Sequence, residues 1–161
     1  MSQSKSYLPE GQRSVTPHLL VSNGLEAIAF YEKAFGAELR YRVPGPTPGS
    51  TLHAEIRIGD SAVYLMDMSG PARVKAPGTG SVNAGLTHVF VPDCDAVVNR
   101  AVAAGAKIVM PVSDQMWGDR YGQIEDPFGQ IWSVATHKED VSADELERRT
   151  KTFFAQMSGQ G

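Results

Sequence analysis

Apolar residues recur along this chain at two spacings, and the switch between them marks out its elements. Leu25, Ile28, Tyr31 and Phe35 fall at the three-to-four-residue spacing of one helical face. Asn23 stands just ahead, where its side chain caps free N–H groups, with Glu26 three residues on as the reciprocal partner. Gly36 supplies the left-handed stop. The period then drops to two. Leu39, Tyr41 and Val43 alternate with Glu38, Arg40 and Arg42, as in a half-buried strand. Leu52, Ala54, Ile56 and Ile58 alternate in the same way with His53, Glu55 and Arg57. A turn at Gly59-Asp60 leads into a further strand at 61–67 and completes a hairpin.

The same order returns in the second half. Pro17-His18-Leu19-Leu20-Val21-Ser22-Asn23 is echoed by Thr87-His88-Val89-Phe90-Val91-Pro92-Asp93, and both following helices end in Gly-Ala, at Gly36-Ala37 and Gly105-Ala106. The second helix starts at Asp93 or Asp95, buries Val97, Val98, Ala101 and Val102, and stops at Gly105. Strands at 107–111, 121–125 and 130–136 follow, the last two joined through Asp126-Pro127-Phe128-Gly129. The unit is β-α-β-β-β, twice, so the fold class is α+β. Between the halves, 69–84 carries Gly70, Gly78 and Gly80 with Pro71 and Pro77 and reads as a linker. Ser142 and Glu145 form a capping pattern for a third helix, which carries Leu146, Thr150, Phe153 and Phe154 and packs either on its own domain or across a dimer. The expected organisation is a flexible arm at 1–13 and one domain at 14–140, with modules at 14–68 and 85–137. A C-terminal helix and tail follow at 141–161.

Composition narrows the function classes. The 161 residues are 42% hydrophobic and 20% charged, which suits a folded domain. A net charge of −3 gives no field to attract nucleic acid or an anionic membrane. The longest strongly apolar stretches, such as 62–66, are too short to cross a bilayer, and the polar first 14 residues carry no signal peptide. Cys94 is the single cysteine, so neither an internal disulfide nor a cysteine zinc cluster can form within one chain. The expectation is a soluble, cytoplasmic protein without nucleic-acid or membrane partners.

Particular stretches carry a resemblance. In the first half they are Val15-Thr16-Pro17, Ala29-Phe30-Tyr31-Glu32-Lys33-Ala34-Phe35-Gly36-Ala37 and His53-Ala54-Glu55-Ile56-Arg57-Ile58-Gly59-Asp60-Ser61. In the second they are Asp114-Gln115-Met116-Trp117-Gly118-Asp119-Arg120-Tyr121-Gly122, Asp126-Pro127-Phe128-Gly129 and Trp132-Ser133-Val134-Ala135-Thr136-His137. With the doubled β-α-β-β-β order, they resemble the vicinal oxygen chelate superfamily, the glyoxalase, bleomycin-resistance and extradiol-dioxygenase group, and within it the PhnB-like branch. The resemblance implies two modules forming a cupped mixed sheet around a cavity, often completed by a second subunit, so a homodimer is expected. In metal-dependent members, His, Gln and Glu hold one divalent ion there.

The positions where the resemblance places those ligands are Thr16 and Leu86 on the first strands, Ser133 on the last strand, and the neighbourhood of Met66 in the first half. None is His, Gln, Asp or Glu, so the standard metal site reads as lost. A shifted divalent-metal site at His18 and His88, with Glu55 or Glu125 as carboxylate, is one reading of the remaining donors. The other makes both histidines cavity-lining groups that hydrogen-bond a ligand or a neighbour.

Trp117, Arg120 and Tyr121 form either a rim for an anionic or planar ligand or a packed hairpin with a surface Asp119–Arg120 pair. His53, Glu55 and Arg57 read as a solvated strand face, with a buried polar network as the alternative. His137 is expected to be exposed and Cys94 to pack a helix. The leading reading is a protein that binds a small molecule in the cavity between its modules. Its rivals are a metal-dependent lyase, isomerase or dioxygenase-like enzyme at His18 and His88, and a structural dimerisation domain with a filled cavity.

Overall fold

The computed structural model describes Pro9 and residues 11–67, 76–80 and 85–158. The first half contains β1 (His18–Leu20), α1 (Gly24–Phe35), β2 (Glu38–Pro44), β3 (Thr51–Ile58) and β4 (Ser61–Met66). The second contains β5 (Thr87–Phe90), α2 (Cys94–Ala103), β6 (Lys107–Asp114), β7 (Asp119–Glu125) and β8 (Ile131–His137), followed by α3 (Ala143–Ser158). Each half folds into a four-stranded mixed sheet, in the orders β1-β4-β3-β2 and β5-β8-β7-β6. In both, the first strand lies parallel to the last and the other pairs are antiparallel. The expected α+β architecture, two βαβββ modules with a C-terminal helix, holds. Most of the expected arm at 1–13 and of the linker at 69–84 lies outside the described residues.

Local chemistry sets the boundaries. Asn23 caps α1 by accepting from the Glu26 N–H at 3.2 Å, and Gly36 ends the helix at φ 67°. Asp93, the first of its two candidate starts, caps α2 through the Ala96 N–H at 2.9 Å. Ser142 accepts from the Glu145 N–H at 3.3 Å ahead of α3. Several expected core positions are instead exposed. Leu25 and Val102 lie off the buried stripes of α1 and α2. Leu39, Tyr41 and Val43 sit on β2, an edge strand whose pairing with β3 slips at two bulges, so its alternation does not deliver a core face. Leu52 is exposed too, while Ala54, Ile56 and Ile58 on the same strand are buried. β6 runs three residues beyond its expected end, because Ser113 and Asp114 still pair with Tyr121 and Arg120.

The two modules share one core on their helical sides. Phe30, Tyr31 and Phe35 of α1 meet Phe128 and Trp132, with the Phe35 and Trp132 rings 4.7 Å apart. Beneath them lies Asp126, 1% exposed. Its carboxylate accepts from the Tyr31 hydroxyl at 2.7 Å, the Trp132 indole N–H at 3.0 Å, and the N–H groups of Phe128 and Gln130 at 2.9 Å each. Burial pushes its carboxyl above the usual range, and these hydrogen bonds oppose that shift. Gln130 also donates through Nε2 to the Leu20 carbonyl of the other module at 2.8 Å. The faces of the two sheets away from the helices remain free to carry other chemistry.

Candidate functional site

A cavity of about 420 Å³ opens between the modules, where the segment entering β1 and the β3–β4 turn face strand β5. Phe35, Ile58, Val63, Val89 and Trp132 give it apolar walls, and Arg13, Thr16, Asp60 and His88 are among its polar lining. The lining is mostly apolar with a few polar residues among it.

His88 belongs to a defined group on the open face of the second sheet. Its Nδ1 lies 2.7 Å from the Ser133 hydroxyl, and Ser133 is fully buried. Its ring stacks on Tyr121 at 6.1 Å and meets Phe90 edge-on at 4.6 Å. Trp117 packs against Tyr121 at 5.5 Å and donates its indole N–H to Asp119 at 3.0 Å. Gln123 donates to the Tyr121 hydroxyl at 2.7 Å. Arg120 leaves this group. One residue from Tyr121 on a strand, it points to the opposite face, where its guanidinium bonds Asp95 of α2 at 2.8 and 2.9 Å and Asp114 at 3.3 Å. The structure therefore joins Trp117 and Tyr121 to His88 but not Arg120. It also corrects the Asp119–Arg120 pair: Asp119 bonds His137 instead, at 2.8 Å. Half-exposed His137 bonds Asp140 as well, and these two carboxylates raise its pKa.

The open face of the first sheet holds a different set. His18 packs edge-on against His53 and Tyr64, each at 5.8 Å, and His53 lies 4.8 Å from Tyr64. The Tyr41 hydroxyl is 3.1 Å from His53 Nε2. Partial burial, with repulsion from His53, lowers the His18 pKa. Glu55 is buried and accepts from Gln12 at 2.8 Å, and the Arg57 guanidinium lies 3.7 Å away. Arg57 in turn donates to the Gly11 carbonyl at 2.7 Å, so residues 11 and 12 are tied to this face. Glu55 and Arg57 thus form a half-buried polar group with Gln12, and His53 joins the ring cluster of His18, Tyr41 and Tyr64, rather than a solvated face. The reasoning from sequence missed Tyr41 and Tyr64. Strict alternation with His53 and Glu55 across the sheet was the signal that pointed to them, since Tyr41 and Tyr64 both pair with Glu55.

The sequence profile of the Glyoxalase/Bleomycin resistance protein/Dioxygenase superfamily matches residues 14–134, three quarters of the chain. The chain belongs to this superfamily. An uncharacterized protein of Mycobacterium bovis, Mb0911c, is 40% identical over 152 residues, spanning 92% of this chain and 94% of its own length. The crystal structure of TioX from Micromonospora sp. ML1 superposes with a TM-score of 0.60 at 26% identity, over 81% of this chain and 100% of TioX. The PhnB protein of Bacillus cereus superposes with a TM-score of 0.61 at 18% identity, over 77% of this chain and 99% of its own, a likeness of fold.

His88 pairs with Ser133 as His18 pairs with Tyr64, so by register the first-half counterpart of Ser133 is Tyr64, two residues from Met66. Thr16 lines the cavity, and Leu86 precedes β5, half exposed. The alternative donors are dispersed within one chain. His18 and His88 stand in separate groups with no contact between them, Glu55 is engaged by Gln12 and Arg57, and Glu125 accepts the Gly80 N–H. Among the described residues no three His, Cys, Asp or Glu side chains are arranged to hold a metal ion. This donor set does not fit a divalent ion. Cys94 is buried with its thiol donating to the Val134 carbonyl at 3.1 Å, and burial pushes its pKa up, as suits a thiol that packs a helix.

Proposed function

We propose that this superfamily member binds a small molecule in the cavity between its modules and has lost the standard metal site. The cavity carries the reading: about 420 Å³ falls within the range of ligand pockets, and its walls are largely apolar. The side chains at the ligand positions add support, since Thr16, Leu86, Tyr64 and Ser133 are neutral and poor partners for a hard divalent ion. A metal-dependent lyase, isomerase or dioxygenase-like activity at His18 and His88 is the less favoured alternative, because those donors do not converge within the chain. In this reading the unit at 14–140 binds the guest, and α3 is an appendage. The protein works as a cytoplasmic homodimer, with a second copy covering Leu86, just ahead of β5, and Phe90 at its end, both exposed. Among the described residues strand β5 pairs only with β8, so it presents a free edge.

Native mass spectrometry of gently purified protein, with extraction of the bound species, tests the reading. The expected result is a stoichiometric organic guest that is lost in Thr16→Phe, a substitution that fills the cavity from its lining. A guest-free protein whose melting temperature no small molecule raises would refute it.

A further inference from the structure

His137 faces two carboxylates at once. Its Nδ1 lies 2.8 Å from Asp119 Oδ1, its direct partner on β7, and its Nε2 lies 3.0 Å from Asp140 Oδ1, in the connector from β8 to α3. An ionised carboxylate only accepts, so each contact needs a proton on the ring nitrogen, and only the imidazolium carries both. The other charged groups nearby are engaged elsewhere. Lys138 lies on the helical side of the sheet with Asp95 and Arg120, and Glu139 is bonded by Arg149. The β6–β7 turn contributes Trp117, an uncharged donor to Asp119.

The two contacts differ in what they cost to lose. Asp119 is buried, and its second oxygen already accepts from the Trp117 indole N–H at 3.0 Å. Asp140 is fully exposed. A buried carboxylate deprived of a donor costs more than one that water can solvate, so a neutral ring keeps its proton on Nδ1. Nε2 then becomes a bare acceptor opposite Asp140, and that contact opens.

The connector that holds Asp140 also carries α3. Its first residues are tied to the β6–β7 turn, where the Gly118 carbonyl accepts from the Lys138 and Glu139 N–H groups at 2.9 and 3.0 Å. Ser142, just past Asp140, caps the helix. From α3 itself, Arg149 reaches the Met116 carbonyl and Glu139, and Thr150 donates to the Met116 sulfur at 3.6 Å. These ties are polar and lie close to solvent, so the loss of one is felt at the start of the helix.

We propose that His137 is a proton-operated clasp on α3: the protonated ring joins the start of β7 to the connector, and loss of its Nε2 proton frees Asp140 and loosens the helix. The clasp is shut in acid and opens as pH rises through the His137 titration. It does not depend on the small-molecule reading above and holds whether or not the cavity takes a guest.

Backbone hydrogen exchange of the full chain, expressed as protection relative to the free-amide rate, tests the clasp across that titration. Protection in the connector and α3 should fall about two- to fivefold from the protonated to the neutral ring, the scale of one solvent-screened charge pair, while β7 and β8 keep theirs. Asp140→Ala and His137→Gln should each abolish the step and hold α3 at its neutral-ring level at every pH. Both side chains are exposed, so neither substitution threatens the fold. Nitrogen-15 NMR should show the neutral ring protonated at Nδ1, and Asp140→Ala should lower the His137 midpoint without changing that tautomer. A step that persists in Asp140→Ala would assign the loosening to another group and overturn the clasp. Protection that stays level through the titration, or a neutral ring protonated at Nε2, would overturn it equally.

Discussion

The two modules share an order of strands and a way of starting their helices, yet their open faces have little in common. On the helical side, Asn23 and Asp93 cap α1 and α2 in the same geometry, and buried apolar stripes meet one core. On the other side, His18 sits in a ring cluster with His53 and Tyr64, whereas His88 is held by a buried serine. The in-register partners of the two histidines, Tyr64 and Ser133, carry the divergence. Core packing restrains one face of a duplicated sheet, since volume changes there cost stability. The face turned from the core is released from that restraint and is free to specialise. A second asymmetry lies at α3, which is anchored to the second module through Arg149 bonds to the Met116 carbonyl at 3.2 Å and to Glu139 at 2.8 and 2.9 Å.

The comparison breaks most severely where the modules are joined. Asp126→Ala removes the acceptor for the Tyr31 hydroxyl and the Trp132 indole, both deep in the shared core. A loss of about 3–5 kcal/mol in urea unfolding is expected, the scale of a buried polar network broken on one side. Tyr31→Phe, which removes one donor and leaves the carboxylate three others, should cost about 1–2 kcal/mol. A loss below 1 kcal/mol for Asp126→Ala would mean that the modules do not depend on this joint.

Next comes the α3 anchor, which the first module lacks. Gly118 has φ 97°, and a Cβ there would stand 2.1 Å from the Glu139 carbonyl oxygen. Gly118→Ala should therefore destabilise by about 2–3 kcal/mol through strain and backbone displacement, and should raise hydrogen exchange in α3. Arg149→Ala removes solvent-screened ion pairs and one hydrogen bond to the Met116 carbonyl, and should cost less than Gly118→Ala. Equal effects of the two would show that charge rather than close backbone approach holds α3 in place.

How much of this was legible depends on which physical rule governs each residue. The doubled unit was readable because caps, glycine stops and the Asp126-Pro127-Phe128-Gly129 turn are local signals. Tyr31 was readable as core from helical spacing alone. Its bond to Asp126, across 95 positions, was not, because nothing local encodes which buried carboxylate a hydroxyl meets. Burial on β2 was misread because period two reports alternation and not whether either face is covered. Arg120 could have been set apart from Tyr121, since adjacent strand residues face opposite ways. The His88–Ser133 bond needed the parallel register of β5 on β8, which strand patterns leave undetermined.

The smallest effects are those of pH, and they separate the modules by sign. His18 has a lowered pKa from burial and from His53, so folding disfavours its charged form. Its contribution is intact above the ordinary value of 6.5 and is lost as pH falls through that value toward the folded one. His137 is the reverse. Hydrogen bonds to Asp119 and Asp140 raise its pKa, so its contribution is full below 6.5 and is lost as pH rises through the folded value. Thermal melts from pH 5 to 8 should show a shallower acid limb in His18→Asn and a shallower alkaline limb in His137→Asn. His137 is half exposed and screened by solvent, so its limb should be the weaker of the two. If both substitutions flattened the same limb, the two histidines would not stand in opposed environments, and the contrast between the open faces would lose its electrostatic part.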